Sequence, residues 1–161
     1  MKGNNVMLPR IIEVLSAQSG VTDVAMSEET QEGNGIIRFD GYLNINNLKS
    51  KFVFRETPIM DVSTIGFIFE YTLLKKEKKE SLYEAINFFN RTKTGLKATL
   101  QTFSKGLKVG VLFNAEIITP HKSESLSNLL QLLIPILTAA PVLFSKDLSD
   151  KGMNHKSISG K

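Results

Sequence analysis

The feature that most constrains the fold of this chain is an apolar run near its C-terminal end, residues 126–144. Leu, Ile, Ala, Val and Phe dominate this run, and its length would suffice for a transmembrane helix. Two prolines, Pro135 and Pro141, interrupt it, and its flanks lack the aromatic belt and the Lys/Arg asymmetry of membrane-spanning helices. We therefore predict a buried helix of a globular domain and no membrane span.

The apolar side chains of this predicted helix go nearly all the way round its axis. One sheet face cannot cover so wide an apolar surface, and such a surplus is typical of a helix that also contacts a second polypeptide. The segment 57–64 is also unusually apolar for a loop. We predict that the interface with a partner or a second subunit is formed by Leu129, Leu130, Leu133, Ile136, Leu137, Ile59, Met60 and Val62.

Elsewhere along the chain the spacing of apolar residues switches between the helical period of 3.6 and the strand period of 2. Helical spacing from Leu8 to Leu15 predicts a first helix. Alternating side chains predict strands at 37–45, 51–56 and 65–73 that form an antiparallel meander, and they leave open a further short strand at 21–27 before it. The polar run at 28–35 is expected to be flexible and to end in a turn.

The second half of the chain predicts a helix, a hairpin and the apolar helix already described. Ser81 and Glu84 match a capping box, which indicates that a helix begins there. Strand-like alternation at 96–101 and 107–117, across a short turn, predicts a β-hairpin. The element order α-β-β-β-α-β-β-α predicts an α+β fold, an antiparallel sheet of about five strands with helices packed on it.

The chain is long enough for one domain: it has 161 residues, 42% hydrophobic and 22% charged. We assign residues 1–144 to a single α+β domain. Residues 145–161 are mostly Ser, Lys, Asp, Gly and Asn and are predicted to form a flexible, polar C-terminal tail. Charged residues and a proline interrupt the apolar stretch that a secretory signal near Met1 would need, so we expect a cytoplasmic protein.

Composition excludes several kinds of chemistry. The chain has no cysteine and two histidines, which leaves no disulfide, no thiolate nucleophile and no Cys-ligated metal site. His121 and His155 have no carboxylate or second histidine at a catalytic or metal-ligand spacing. We therefore predict that the protein is not an enzyme and has no catalytic residue, no cofactor and no metal.

The stretch from Leu82 to Phe144 carries a family resemblance. It contains a helix with Asn87 and Asn90 near its end, then a two-stranded hairpin, a turn with a proline and a Leu-rich last helix. This order resembles the type III secretion chaperone-like fold, and in particular the YbjN-like family of small bacterial proteins. The resemblance implies a non-enzymatic, homodimeric protein that binds a polypeptide client as chaperones do, or that acts as a regulatory adaptor.

A second hypothesis follows from the charge of the chain, which is +4 with a sequence pI near 9.3. The densest charged run, residues 75–80, holds four lysines and two glutamates. A small basic nucleic-acid-associated factor is therefore the alternative function. Since no aromatic residues alternate with these lysines to stack on bases, a solvated connection is the interpretation we favour, and we do not expect nucleic acid as the partner.

Overall fold

A computed structural model describes residues 10–57, 62–103, 107–118 and 125–156 of the protein. Within these residues, helices and strands follow the order α-β-β-β-β-α-β-β-α, with a short 3₁₀ turn at Gly33–Gly35. The elements are α1 (Arg10–Ser16), β1 (Val21–Gln31), β2 (Ile37–Ile45), β3 (Leu48–Thr57), β4 (Val62–Thr72), α2 (Lys79–Thr92), β5 (Lys97–Phe103), β6 (Lys108–Ile118) and α3 (Ser125–Asp150).

The strands form one six-stranded sheet in the order β1-β2-β3-β4-β6-β5, and every neighbouring pair is antiparallel. Strands β1 to β4 form a meander. Helix α2 then carries the chain to the edge of the sheet, and the β5–β6 hairpin returns so that β6 pairs with β4. The predicted α+β class, antiparallel pairing and C-terminal hairpin are confirmed, although the sheet has six strands and the prediction was about five.

The difference in strand number arises at β1, which is eleven residues long and extends to Gln31, into the polar run expected to be flexible. Val21 is buried and Val24 is partly buried, but the other side chains of this strand are exposed. Because β1 is an edge strand, its side chains meet solvent on both sides and need no apolar alternation. Its backbone hydrogen bonds to β2 hold it in the sheet, with two register shifts along the pair.

The core lies between the sheet and the three helices. Phe52, Phe67 and Phe113 are directly opposite one another on β3, β4 and β6, and all three are completely buried. Such cross-strand apolar pairs are the main source of stability of a sheet face. The helices add their apolar sides to the same cluster, including Leu15 of α1 and Phe89 of α2.

The opposite face of the sheet, which we call the open face, carries no helix among the described residues. Two of its apolar residues, Val53 and Leu112, are nevertheless buried. Leu112 lies across Gly66, where an added Cβ would be 2.7 Å from the Cδ1 atom of Leu112. A glycine at this position therefore allows Leu112 to lie flat on the sheet.

Helix α2 begins earlier than its predicted capping box. Its first residue is Lys79 and its N-cap is Lys78, which makes no side-chain capping hydrogen bond. The prediction that the helix starts at Ser81 was wrong. Lys79 and Glu80 are good helix formers, and the amide of Leu82 donates to the carbonyl of Lys78 at 3.3 Å, so the helix begins two residues earlier.

The C-terminal tail was also wrongly predicted. Helix α3 continues to Asp150, beyond the expected domain end at residue 144, and Met153 is buried in the core. The segment after the helix pairs with the end of β4, because the amide of Lys156 donates to the carbonyl of Thr72 at 2.8 Å. The polar composition of this segment was a poor guide to its structure, since its two large apolar residues, Leu148 and Met153, are both buried. Residues 157–161 lie outside the described part.

Candidate functional site

Helix α3 binds the sheet through an inner stripe of apolar residues. Phe144 occupies the centre of an aromatic cluster, with its ring centroid 5.4 Å from Tyr71, 5.7 Å from Phe89 and 5.7 Å from Phe113. The hydroxyl of Tyr71 donates to the carbonyl of Pro141 at 2.9 Å. The buried residues of the stripe are Leu126, Leu130, Ile134, Leu137, Ala140, Pro141, Phe144 and Leu148.

The opposite side of the same helix is apolar and exposed. Between residues 132 and 143, every exposed side chain of α3 is apolar. The exposed fraction is 67% for Leu132, 48% for Ile136, 66% for Val142 and 39% for Leu143. Together with the exposed Pro135 and Ala139, these residues form what we call the outer face of α3.

Polar residues limit the outer face at both ends. Asn128 and Gln131 are exposed on its N-terminal side, and Lys146 is exposed on its C-terminal side. A contiguous apolar patch with a polar border is typical of a surface that contacts another macromolecule, because soluble monomers seldom expose so many neighbouring large apolar side chains. The outer face of α3 is therefore the candidate functional site.

The structure separates the residues predicted for this interface into three groups. Ile136 lies on the outer face, whereas Leu130 and Leu137 are completely buried against the sheet. Leu129 and Leu133 are partly buried and pack against the core. For Leu130 and Leu137 the interface prediction was wrong, because their positions belong to the inner stripe.

The predicted loop lies only partly within the described residues. Ile59 and Met60 lie outside them. Val62 is the first residue of β4, is partly buried, and pairs with Ile118 of β6, whose side chain is 79% exposed. Val62 and Ile118 thus add a second, smaller exposed apolar area at this end of the sheet.

Leu132, Val142 and Leu143 were not predicted, although the sequence holds the signal that identifies them. In α3 the core-facing positions recur every three or four residues, at 126, 130, 134, 137, 141, 144 and 148. Positions 132, 136, 139 and 143 have the same spacing but are rotated to the opposite side of the helix. Because α3 is apolar on all sides, its sequence does not show which side faces the core. Once the core-facing positions are known, the exposed positions follow from the helical spacing.

By length and composition, α3 is the one helix in the described residues that would be able to cross a membrane. Its inner stripe packs on β4 and β6 within the core, and 33% of the apolar 18-residue window is buried. Core helices of soluble proteins satisfy the same criteria of length and hydropathy, so this result is weak evidence for a span.

A second surface feature is a depression of about 460 Å³ on the open face, beside β1. Arg38 donates to both carboxylate oxygens of Asp40, at 2.6 and 2.7 Å. These hydrogen bonds, with the nearby charges of Asp40 and Glu32, raise the pKa of Arg38 despite partial burial. Arg55 pairs with Glu32 at 3.3 Å, so the charged groups of the depression largely neutralise one another.

Of the two histidines, His155 is the one that the structure describes. His121 lies outside the described residues. His155 binds the hydroxyl of Ser145 through its Nε2 atom and the carbonyl of Met153 through Nδ1 at 3.0 Å. These contacts hold the C-terminal segment against α3, and no group of three or more His, Cys, Asp or Glu side chains suited to a metal occurs in the described part of the chain.

The residues that carried the family resemblance have mainly structural surroundings. The amide side chain of Asn90 accepts from the backbone N–H of Ala98 at 2.6 Å and donates to its carbonyl at 3.0 Å. Asn90 therefore joins the end of α2 to β5. Asn87 is exposed and lines a small depression with Arg91 and Lys151.

In the charged run at 75–80, residues 75–78 lie in the connection between β4 and α2, and Lys79 and Glu80 are the first two residues of α2. Lys75 lies 3.8 Å from Glu77, and the ammonium group of Lys79 lies 5.5 Å from the ring centroid of Tyr83. Two lysines of the charged run are thus close to an acidic or aromatic side chain of the same chain.

Comparison of the chain with protein-family models, with curated proteins and with solved structures gave no match.

Proposed function

We propose that this protein is a cytoplasmic, homodimeric, non-enzymatic protein of the YbjN-like type that binds polypeptides. The single observation that supports the proposal is the outer face of α3, with six apolar residues exposed between polar ends. Burying a Leu or Val side chain contributes about 1.5–3 kcal/mol. A few such residues on each subunit are therefore sufficient to stabilise an association.

Under this proposal the protein acts by contact alone. The outer face holds two subunits together, and a polypeptide client or a regulated partner binds the remaining exposed surface, including the area of Val62 and Ile118 and the open face of the sheet. The element order supports this role only as far as it resembles the secretion chaperone-like fold. Both a chaperone and a regulatory adaptor are consistent with it.

The test is light scattering after size-exclusion chromatography, with Leu132→Asp as the variant. The wild type is expected at twice the chain mass of 17.9 kDa, and Leu132→Asp at the mass of one chain. Because Leu132 is exposed, the substitution should change the free energy of unfolding by less than about 1 kcal/mol. Gln131→Asp is the matched control: it adds the same charge one residue away and should remain dimeric.

A wild-type monomer at micromolar concentration would contradict the proposal. So would a monomer that floats with phosphatidylcholine vesicles, since the outer face would then be a lipid-binding surface. Leu133→Asp is a poor choice for this test, because Leu133 packs against the core and its loss would affect folding as well.

A further inference from the structure

The outer face of α3 is nearly symmetric about its own midpoint. Leu132 and Leu143 lie at equal distances along the helix from a point between residues 137 and 138, and so do Ile136 and Ala139. The midpoint between Pro135 and Val142 lies one residue further along the helix. A two-fold dimer needs a surface that is complementary to itself, and this arrangement provides one.

We propose that the occupant of the outer face is a second copy of this chain, whose α3 packs antiparallel across a two-fold axis near residues 137–138. This inference rests on the proposed function, because it specifies how the proposed dimer is built. Leu132 then contacts Leu143 of the second copy, and Ile136 contacts Ala139. The small side chain of Ala139 near the axis allows the helices to approach to the usual interaxial distance of about 8–10 Å.

The charges at the ends of the helix distinguish this geometry from a parallel one. In an antiparallel pair, Lys146 of one subunit lies beside Asn128 of the other, whose side-chain oxygen can accept a hydrogen bond from the ammonium group. A parallel pair would bring the two Lys146 side chains together and repeat the repulsion at the two Asp150 side chains. The antiparallel pair also places opposite ends of the helix macrodipoles side by side.

The exposed area agrees with what a stable dimer requires. From their exposed fractions, Leu132, Ile136, Val142 and Leu143 present roughly 400 Å² of apolar surface on each subunit, and the exposed Pro135 and Ala139 add to it. A standard interface buries about 800 Å² per partner, of which roughly 60% is apolar. The outer face is thus large enough to form the apolar part of such an interface, with the polar ends as its rim.

The test uses cross-linking between single cysteines, because the chain has none of its own. Asn128→Cys and Lys146→Cys are placed in two differently tagged chains, which leaves the six apolar residues intact. After subunit exchange, a short bismaleimide should link the two kinds of chain to each other. Each variant alone should give almost no linked product, since in the antiparallel pair its two cysteines are far apart along the axis, about 28 Å for Asn128→Cys and about 25 Å for Lys146→Cys.

The other outcomes overturn the inference, and they do so in distinguishable ways. Cross-linking of Asn128→Cys with itself would indicate a parallel pair. A dimer in light scattering that gives no link in any combination would place the interface away from α3 and leave the dimer proposal standing. A monomer in light scattering would contradict both. Ala139→Cys, close to the axis, is the second variant and should link to itself.

Discussion

At the scale of single residues, Tyr71 connects the sheet to the last helix. Its ring packs edge-on against Phe144, and its hydroxyl donates to the carbonyl of Pro141. Proline introduces no N–H for the preceding turn of a helix, so backbone groups near Pro141 have fewer partners within the helix. Burial raises the pKa of the Tyr71 phenol, because the charged phenolate would lose its hydration in the core.

The raised pKa of Tyr71 predicts how stability changes in alkaline solution. The folded chain retains the phenol proton at pH values where the unfolded chain, with a tyrosine pKa of about 10, releases it. The stabilising contribution is therefore complete below about pH 10 and is lost as the pH rises, by about 1.4 kcal/mol per pH unit. Urea denaturation of the wild type and of Tyr71→Phe at several pH values measures this loss of stability.

Near neutral pH, Tyr71→Phe should destabilise the fold by about 1 kcal/mol, because the hydrogen bond to Pro141 is lost. Above about pH 10 the advantage of the wild type should shrink and then reverse, because phenylalanine has no proton to lose. A difference between the two proteins that stays constant up to about pH 11 would show that the phenol is not held neutral in the core.

At the scale of elements, helices and strands were predicted best where one side of the element is buried and the other is exposed to solvent. Strands β2, β3 and β4 and the β5–β6 hairpin were predicted from alternation alone. Strand β1 was predicted too short because both of its sides are polar, and only pairing with β2 makes it a strand. The end of α3 was missed for a related reason, since residues 145–150 are polar except for the buried Leu148.

The C-terminal segment provides a prediction at this scale. Met153→Ala should lower the free energy of unfolding by about 2–5 kcal/mol, because Met153 is buried and its removal leaves a cavity. Lys156→Ala, an exposed position in the same segment, is the control and should change it by less than about 0.5 kcal/mol. Urea denaturation monitored by circular dichroism compares the two. Equal, negligible effects would mean that the segment is detached in solution.

At the scale of the whole molecule, the sequence predicted that the last helix has more apolar surface than its own domain can cover, but not which residues are left over. Leu130, Leu137 and Leu132 are all leucines in the same apolar run. The packing of α3 on β4 and β6 buries Leu130 and Leu137 and leaves Leu132 exposed on the opposite side. The side chains that form the candidate site are the apolar residues of α3 that do not pack in the core. Their identity therefore depends on the rotation of α3 about its axis.

Hydroxyl-radical footprinting across a dilution series tests most directly whether a second copy covers the outer face of α3. At high protein concentration, we expect Leu132, Ile136 and Val142 to be labelled weakly, and their labelling should rise as the protein is diluted. Tyr42, which is 50% exposed on the open face, is the internal reference and should be labelled equally at every concentration. Strong labelling of the outer face that does not depend on concentration would contradict the account.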